Sequence, residues 1–136
     1  MQVMQLNGSL LAAGDALAAP VGQSSARWQV MAAVEDSPAS VAEIARMLNL
    51  ARQSVQRVAD LLVAEGLASY EENPFHARAK NLGLAMPGRR ALRQIQSAQS
   101  QWANELVARL DPDQMAVASA LLERLGQLLR AGGTEA

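Results

Sequence analysis

The sequence predicts a mainly helical chain organised around a helix, a tight turn, a second helix and a small β-hairpin. Three observations predict it. Ser40-Val41-Ala42-Glu43 has capping-box spacing, in which the serine oxygen accepts an orphan amide and the glutamate reaches back to the serine N–H. Val41, Ile44, Ala45 and Leu48 repeat at helical spacing before Asn49-Leu50, and Val55, Val58, Ala59 and Leu62 repeat after it. Gly66 then offers a left-handed C′ position, and two short strands flank a polar, basic loop. Helix, turn, helix and hairpin in that order make a winged helix-turn-helix.

The flanking elements follow from the same signals. Residues 1–19 have a helical tendency, with Leu6, Leu10, Leu11 and Leu17 as the expected buried positions. Gly8 and Gly14 each cost about 1 kcal/mol relative to alanine, so a broken or frayed helix is expected there. Pro20-Val21-Gly22 ends it. Ser24 or Ser25 caps the next helix, which carries Trp28, Met31, Ala32 and positions beside Val34, and runs to about Glu35 before the turn Asp36-Ser37-Pro38. The second helix of the pair extends from about Ala51 to Ala64, and Arg52, Gln53, Gln56 and Arg57 lie on its polar face. Asn73-Pro74 turns the hairpin loop.

Pro87 suits the first turn of a long helix expected to reach about Leu110, with Leu92, Ile95, Ala98 or Gln99, Trp102, Leu106 and Leu110 as a sparse apolar stripe. Such a helix would be about 35 Å long and needs a partner. Asp111-Pro112-Asp113-Gln114 starts a last helix to about Arg130. Its Met115, Val117, Ala118, Leu121, Leu122, Leu125, Leu128 and Leu129 exceed what one buried face needs. A tail begins at Gly132-Gly133. The expected organisation is one domain over 1–136: a winged unit at 22–86, with helices at 1–20 and 87–130 for dimerisation.

Composition narrows the function. The chain has 136 residues, half of them apolar, and a formal charge of −1. From Ser40 to Arg93 eight basic residues face five acidic ones, so that stretch is +3 and the remainder −4, a basic patch on an acidic body. Eleven of the twelve basic residues are arginine, the side chain suited to forked contacts with phosphate and guanine. No cysteine is present, which excludes disulfides and thiol redox sensing. No apolar run is long enough for a membrane span, and the N-terminus lacks the basic region of a signal peptide, so the expected location is the cytoplasm. No nucleophile elbow, phosphate loop, HExxH or paired-carboxylate motif appears, so no catalytic residue is expected. His76 is the single histidine and has no cysteine partner. It reads as making a wing-stabilising hydrogen bond; no metal and no cofactor are expected. Aromatics are 3%, too few for a single-strand stacking platform. Trp28 and Trp102 read as core or as pocket wall.

Arg27-Trp28-Gln29-Val30, Ser40 to Ala45, Ala51 to Val58, the Asn73-Pro74-x-His76-x-Arg78-Ala79 wing and Gly88-Arg89-Arg90-Ala91 together resemble the MarR family of bacterial transcription regulators. The likeness covers roughly residues 24–110. It implies a homodimer that binds a pseudo-palindromic operator in double-stranded DNA, acting as a repressor. Ser40, Arg52, Gln53, Ser54, Gln56, Arg57, Asn73, Arg78 and Lys80 are the expected DNA-binding residues. Arginine pairs with guanine and glutamine with adenine in the major groove, and Arg78 matches the wing arginine that relatives place in the minor groove. Two positions depart from the pattern: Ala51 stands where the family often has serine or threonine, and His76 where many relatives have aspartate. The family also implies a small lipophilic or aromatic effector, in a cleft walled by Trp28 and Met31. Arg89, Arg90 or Arg93 would supply the counter-charge. The alternative is a winged-helix protein-interaction module without DNA binding, which the basic recognition face disfavours.

Overall fold

The structure, a computed structural model, describes residues 1–76 and 78–132. The elements are α1 (Gln2–Ala18), α2 (Ser25–Ala33), β1 (Ala39–Ser40), α3 (Val41–Leu48), α4 (Arg52–Ala64), β2 (Ala68–Glu72), β3 (Lys80–Leu84), α5 (Met86–Val107) and α6 (Pro112–Gly132). The chain divides into two compact units, Met1–Gln99 and a second from Ser100 onward.

In the first unit α1 is one unbroken helix, against the expected break at its glycines. Its leucines are not the buried set: Leu6, Leu10 and Leu11 are exposed and Leu17 is half-buried, whereas Gly14 and Ala18 are buried. The reason is close approach. A Cβ at Gly14 would lie 2.6 Å from Ser25 Oγ, so α1 meets α2 through its smallest residues and its leucine row stays outside. Gly22, in the left-handed region, ends the short 3₁₀ turn Ala19–Val21 that follows.

Ser24 is the cap of α2, its Oγ accepting from Arg27 N. The helix buries Val30 and Met31, while Ala32 is exposed and Trp28 half-buried. These join Val34, Ile44, Val55, Ala59, Leu62, Leu82, Leu92 and Ile95 in one core. The buried face of α4 is Val55, Val58, Ala59 and Leu62, as the spacing predicts.

The hairpin is larger than expected. Two residues before α3 form β1, giving a three-stranded antiparallel sheet of order β1-β3-β2, with Ala39 opposite Leu82 and Tyr70 also opposite Leu82. A two-residue strand has no periodicity to read. It pins the start of α3 to the base of the wing.

In the second unit, α5 stops at Val107 rather than Leu110, and Ala108–Leu110 turn into the next helix. Asp111 caps α6, its Oδ1 accepting from Asp113 N (2.8 Å) and Gln114 N (3.3 Å). The helix continues through Gly132, the residue expected to open the tail; the rest of that tail, from Gly133, lies outside the described residues.

Candidate nucleic-acid interface

Local chemistry sets the two helices of the turn. Ser40 Oγ accepts from Glu43 N (3.3 Å) and donates to Glu43 Oε2 (2.7 Å), which also accepts from Ser40 N (2.8 Å). The Ser40 hydroxyl, and then its backbone N–H, hold the Glu43 carboxyl below its ordinary range. Asn49 closes α3 in the left-handed region (φ 52°), where asparagine is one of the few tolerated side chains. Ala51 precedes α4 without a side-chain cap, so the first amides of that helix stay open at its positive end.

Between α4 and the wing lies a groove of about 350 Å³ lined by Ser40, Val41, Ala42, Arg52, Gln56, Tyr70, Arg78, Ala79 and Lys80. It brings together five of the sequence-predicted DNA-binding residues: Ser40, Arg52, Gln56, Arg78 and Lys80. Ser40 is 8% exposed and its hydroxyl is committed to the cap. Gln53, Ser54 and Arg57 are exposed on α4 outside the groove lining. The Asn73 side chain holds the wing turn, Oδ1 accepting from Phe75 N (2.9 Å) and Nδ2 donating to Asn81 Oδ1 (3.1 Å). The wing bond expected of the His76 side chain is replaced by its backbone, which donates to Asn73 O (3.2 Å) and accepts from Ala79 N (3.0 Å). Among the described residues the ion pair is Arg27–Glu65, so Arg52, Arg57, Arg78 and Lys80 keep their charge uncompensated by a carboxylate partner.

Two residues that sequence reasoning missed hold Gln56, and one of them, Tyr70, also lines the groove. Tyr70 OH donates to Asp60 Oδ1 (2.6 Å), and Gln56 Nε2 donates to both Asp60 Oδ1 (2.9 Å) and Tyr70 OH (2.9 Å). Burial, then the hydrogen bond to the Asp60 carboxylate, push the Tyr70 phenol up to about 12. The i, i+4 spacing of Gln56 and Asp60 is a visible signal; the position of Tyr70 on the facing strand is not.

A second hollow, of about 520 Å³, lies beside Trp28. Its lining includes Asn7, Leu10, Leu11, Ser25, Trp28, Gln29, Gln96 and Gln99. The expected charged wall is absent from it. Met31 is in the core, off the row Ser25, Trp28, Ala32 that faces the hollow. Arg89 Nη1 donates to Glu35 O (2.9 Å), Arg90 and Arg93 are exposed, and none of the three arginines lines the hollow. The hollow meets α5 one to two turns later than expected, at Gln96 and Gln99. Gln96 Nε2 donates to Glu35 Oε2 (2.8 Å).

A MarR family model matches residues 22–79, the stretch holding the turn, α4 and most of the wing. An uncharacterized protein of Mycobacterium tuberculosis is 37% identical over 129 residues, 95% of this chain and 90% of that protein. Among solved structures, one MarR family transcription regulator has a TM-score of 0.85 at 17% identity, covering 99% of this chain and 93% of that one. A mutant MarR from E. coli complexed with operator DNA has 0.84 at 20% identity, covering 91% and 90%. CouR from Rhodococcus jostii, bound to p-coumaroyl-CoA, has 0.80 at 15% identity, covering 91% and 88%. At these identities the structural matches speak for a shared winged-helix fold. The family model thus places residues 22–79, with the helix-turn-helix, in the MarR family, and the winged-helix fold shared with MarR regulators runs over nearly the whole length.

Proposed function

We propose that this protein is a homodimeric transcription regulator that binds a pseudo-palindromic operator in duplex DNA, represses a promoter and is released by a small-molecule effector. The observation that carries DNA binding is the groove between α4 and the wing, where Arg52, Arg78 and Lys80 converge with no carboxylate partner among the described residues. Such cations favour phosphate contact, and α4 offers Arg52, Gln53, Ser54, Gln56 and Arg57 to base edges. Ser40 and Asn73 support this surface by fixing α3 and the wing. The fold match to a MarR bound to operator DNA supports the same reading.

The dimer is supported by apolar surface. Val117, Leu121, Leu122, Leu125, Leu128 and Leu129 on α6 are all exposed, more than a soluble monomer ordinarily leaves contiguous. A second copy of the chain would cover it with two-fold symmetry. The effector would sit in the hollow beside Trp28. The fold match to a regulator bound to p-coumaroyl-CoA supports a ligand-responsive member. Because apolar side chains with a few amides and a serine, and no arginine, line the hollow, the ligand that suits it is an uncharged, largely apolar molecule with a few hydrogen-bonding groups rather than a carboxylate.

The deciding experiment is selection of bound sequences from a random duplex pool, followed by titration of the winning site against salt. A pseudo-palindromic motif with half-sites about ten base pairs apart, bound more weakly as salt rises, is the expected result. Absence of duplex binding even at low salt would favour a winged-helix protein-interaction module.

A further inference from the structure

The Gln56–Asp60–Tyr70 triangle determines what Gln56 can offer to a base. The carboxylate of Asp60 accepts hydrogen bonds and cannot donate one. The amide end of Gln56 turned toward it is therefore the nitrogen, at 2.9 Å. Tyr70 has a single hydroxyl proton, and it goes to Asp60 at 2.6 Å. A phenol lone pair is left facing Gln56 Nε2, again at 2.9 Å. Asp60 Oδ1 and Tyr70 OH are neighbours as seen from that nitrogen, so one N–H of Gln56 points between them. A phenol is protonated at neutral pH, and burial with the adjacent carboxylate pushes this one further up, to about 12, so its donor role persists.

A glutamine on an exposed helix face ordinarily rotates, and its amide serves either as donor or as acceptor. Here the flipped amide would bring Oε1 against a carboxylate oxygen and a phenol lone pair, two like-sign contacts. Oε1 accepts no hydrogen bond among the described residues, while Gln56 itself lines the groove. We infer that Tyr70 and Asp60 are positioning residues that lock the Gln56 amide with its carbonyl outward, so that Gln56 selects a base presenting an amino donor in the major groove, adenine or cytosine. In the major groove these two bases present an N–H donor to the carbonyl, adenine also offering N7 to the remaining N–H of Gln56, whereas guanine and thymine have no major-groove donor for Oε1. This inference rests on α4 being the base-reading helix.

The test uses the full chain and a randomised duplex pool, comparing wild type with Gln56→Ala, Tyr70→Phe and Asp60→Asn. The position read by Gln56 is the one whose preference disappears in Gln56→Ala. There, wild type should favour adenine or cytosine by about tenfold, and Tyr70→Phe and Asp60→Asn should each reduce that to about twofold. Preferences at other positions should stay within about twofold, which a merely structural loss would not allow. A guanine or thymine preference, an unchanged preference in both positioning variants, or an equal loss at every position would each overturn the inference while leaving DNA binding intact. Failure of wild type to bind any duplex would instead overturn the DNA-binding reading, and this inference with it.

Discussion

Arg27 and Glu65 meet fork to fork. Nη1 donates to Oε2 at 2.8 Å and Nη2 to Oε1 at 2.6 Å, tying the start of α2 to the end of α4 across 38 residues of sequence. The arginine side chain is 18% exposed and the glutamate 46%, so this is a paired contact near the surface and not a buried ion pair. Its hydrogen bond to Arg27 holds the Glu65 carboxyl below its ordinary 4.5. Glu65→Gln should lower the urea midpoint slightly, and the loss should shrink in high salt, as expected of a screened pair. A loss that does not change with salt would show that packing, not charge, sets the effect.

Capping at Ser40 gives a second prediction, with a pH signature. Ser40→Ala removes the acceptor for Glu43 N and should destabilise the fold by about 1 kcal/mol. Because the Glu43 carboxyl is lowered in the folded state, its contribution is present above the ordinary value of 4.5 and is lost as pH falls through the lowered one. The gap between thermal melts of wild type and Ser40→Ala should therefore narrow as pH is taken from neutral to strongly acid, leaving the part due to the Glu43 N–H cap. Parallel curves over that range would contradict the cap's role.

Two glycines should respond oppositely to alanine. A Cβ on Gly88, at the start of α5, would run into the Leu67 carbonyl oxygen, which accepts from Ala85 N at 3.0 Å and cannot move freely. Gly88→Ala should cost about 1–3 kcal/mol by overpacking. Gly8 lies in α1 with nothing near its missing Cβ, so Gly8→Ala should stabilise by up to about 1 kcal/mol. Chemical denaturation of both variants checks the pair of signs.

On the operator, Arg52→Ala or Gln53→Ala should each cost about 1–3 kcal/mol per site and little on random duplex. Arg78→Ala should weaken both and flatten the salt dependence, since a wing arginine meets backbone and minor groove. Equal losses on both DNAs for Arg52→Ala would move the reading face elsewhere.

For the α6 surface, sedimentation should show a dimer at micromolar concentration. Leu125→Glu, placing a charge among Leu121, Leu122, Leu128 and Leu129, should give a monomer. A monomeric wild type would remove the two-fold operator from the proposal.

The sequence by itself determined whatever depends on near neighbours: the Ser40–Glu43 cap, the buried row Val55, Val58, Ala59 and Leu62, the turn through Asn49, and the Asp111 start of α6. Periodicity and capping act within a turn or two of chain, so residue spacing carries them in full. Only the tertiary structure decided the rest. It set Gly14 against Ser25 and so turned the α1 leucines outward, paired β1 with β3, put Gln96 and Gln99 beside Trp28 in place of the arginines, and brought Tyr70 to Gln56. These contacts join residues far apart in sequence, and a shift of one residue in register or part of a turn in helix rotation would replace every partner. No local pattern specifies such a rotation, because it is set jointly by how all the packed side chains fill the core.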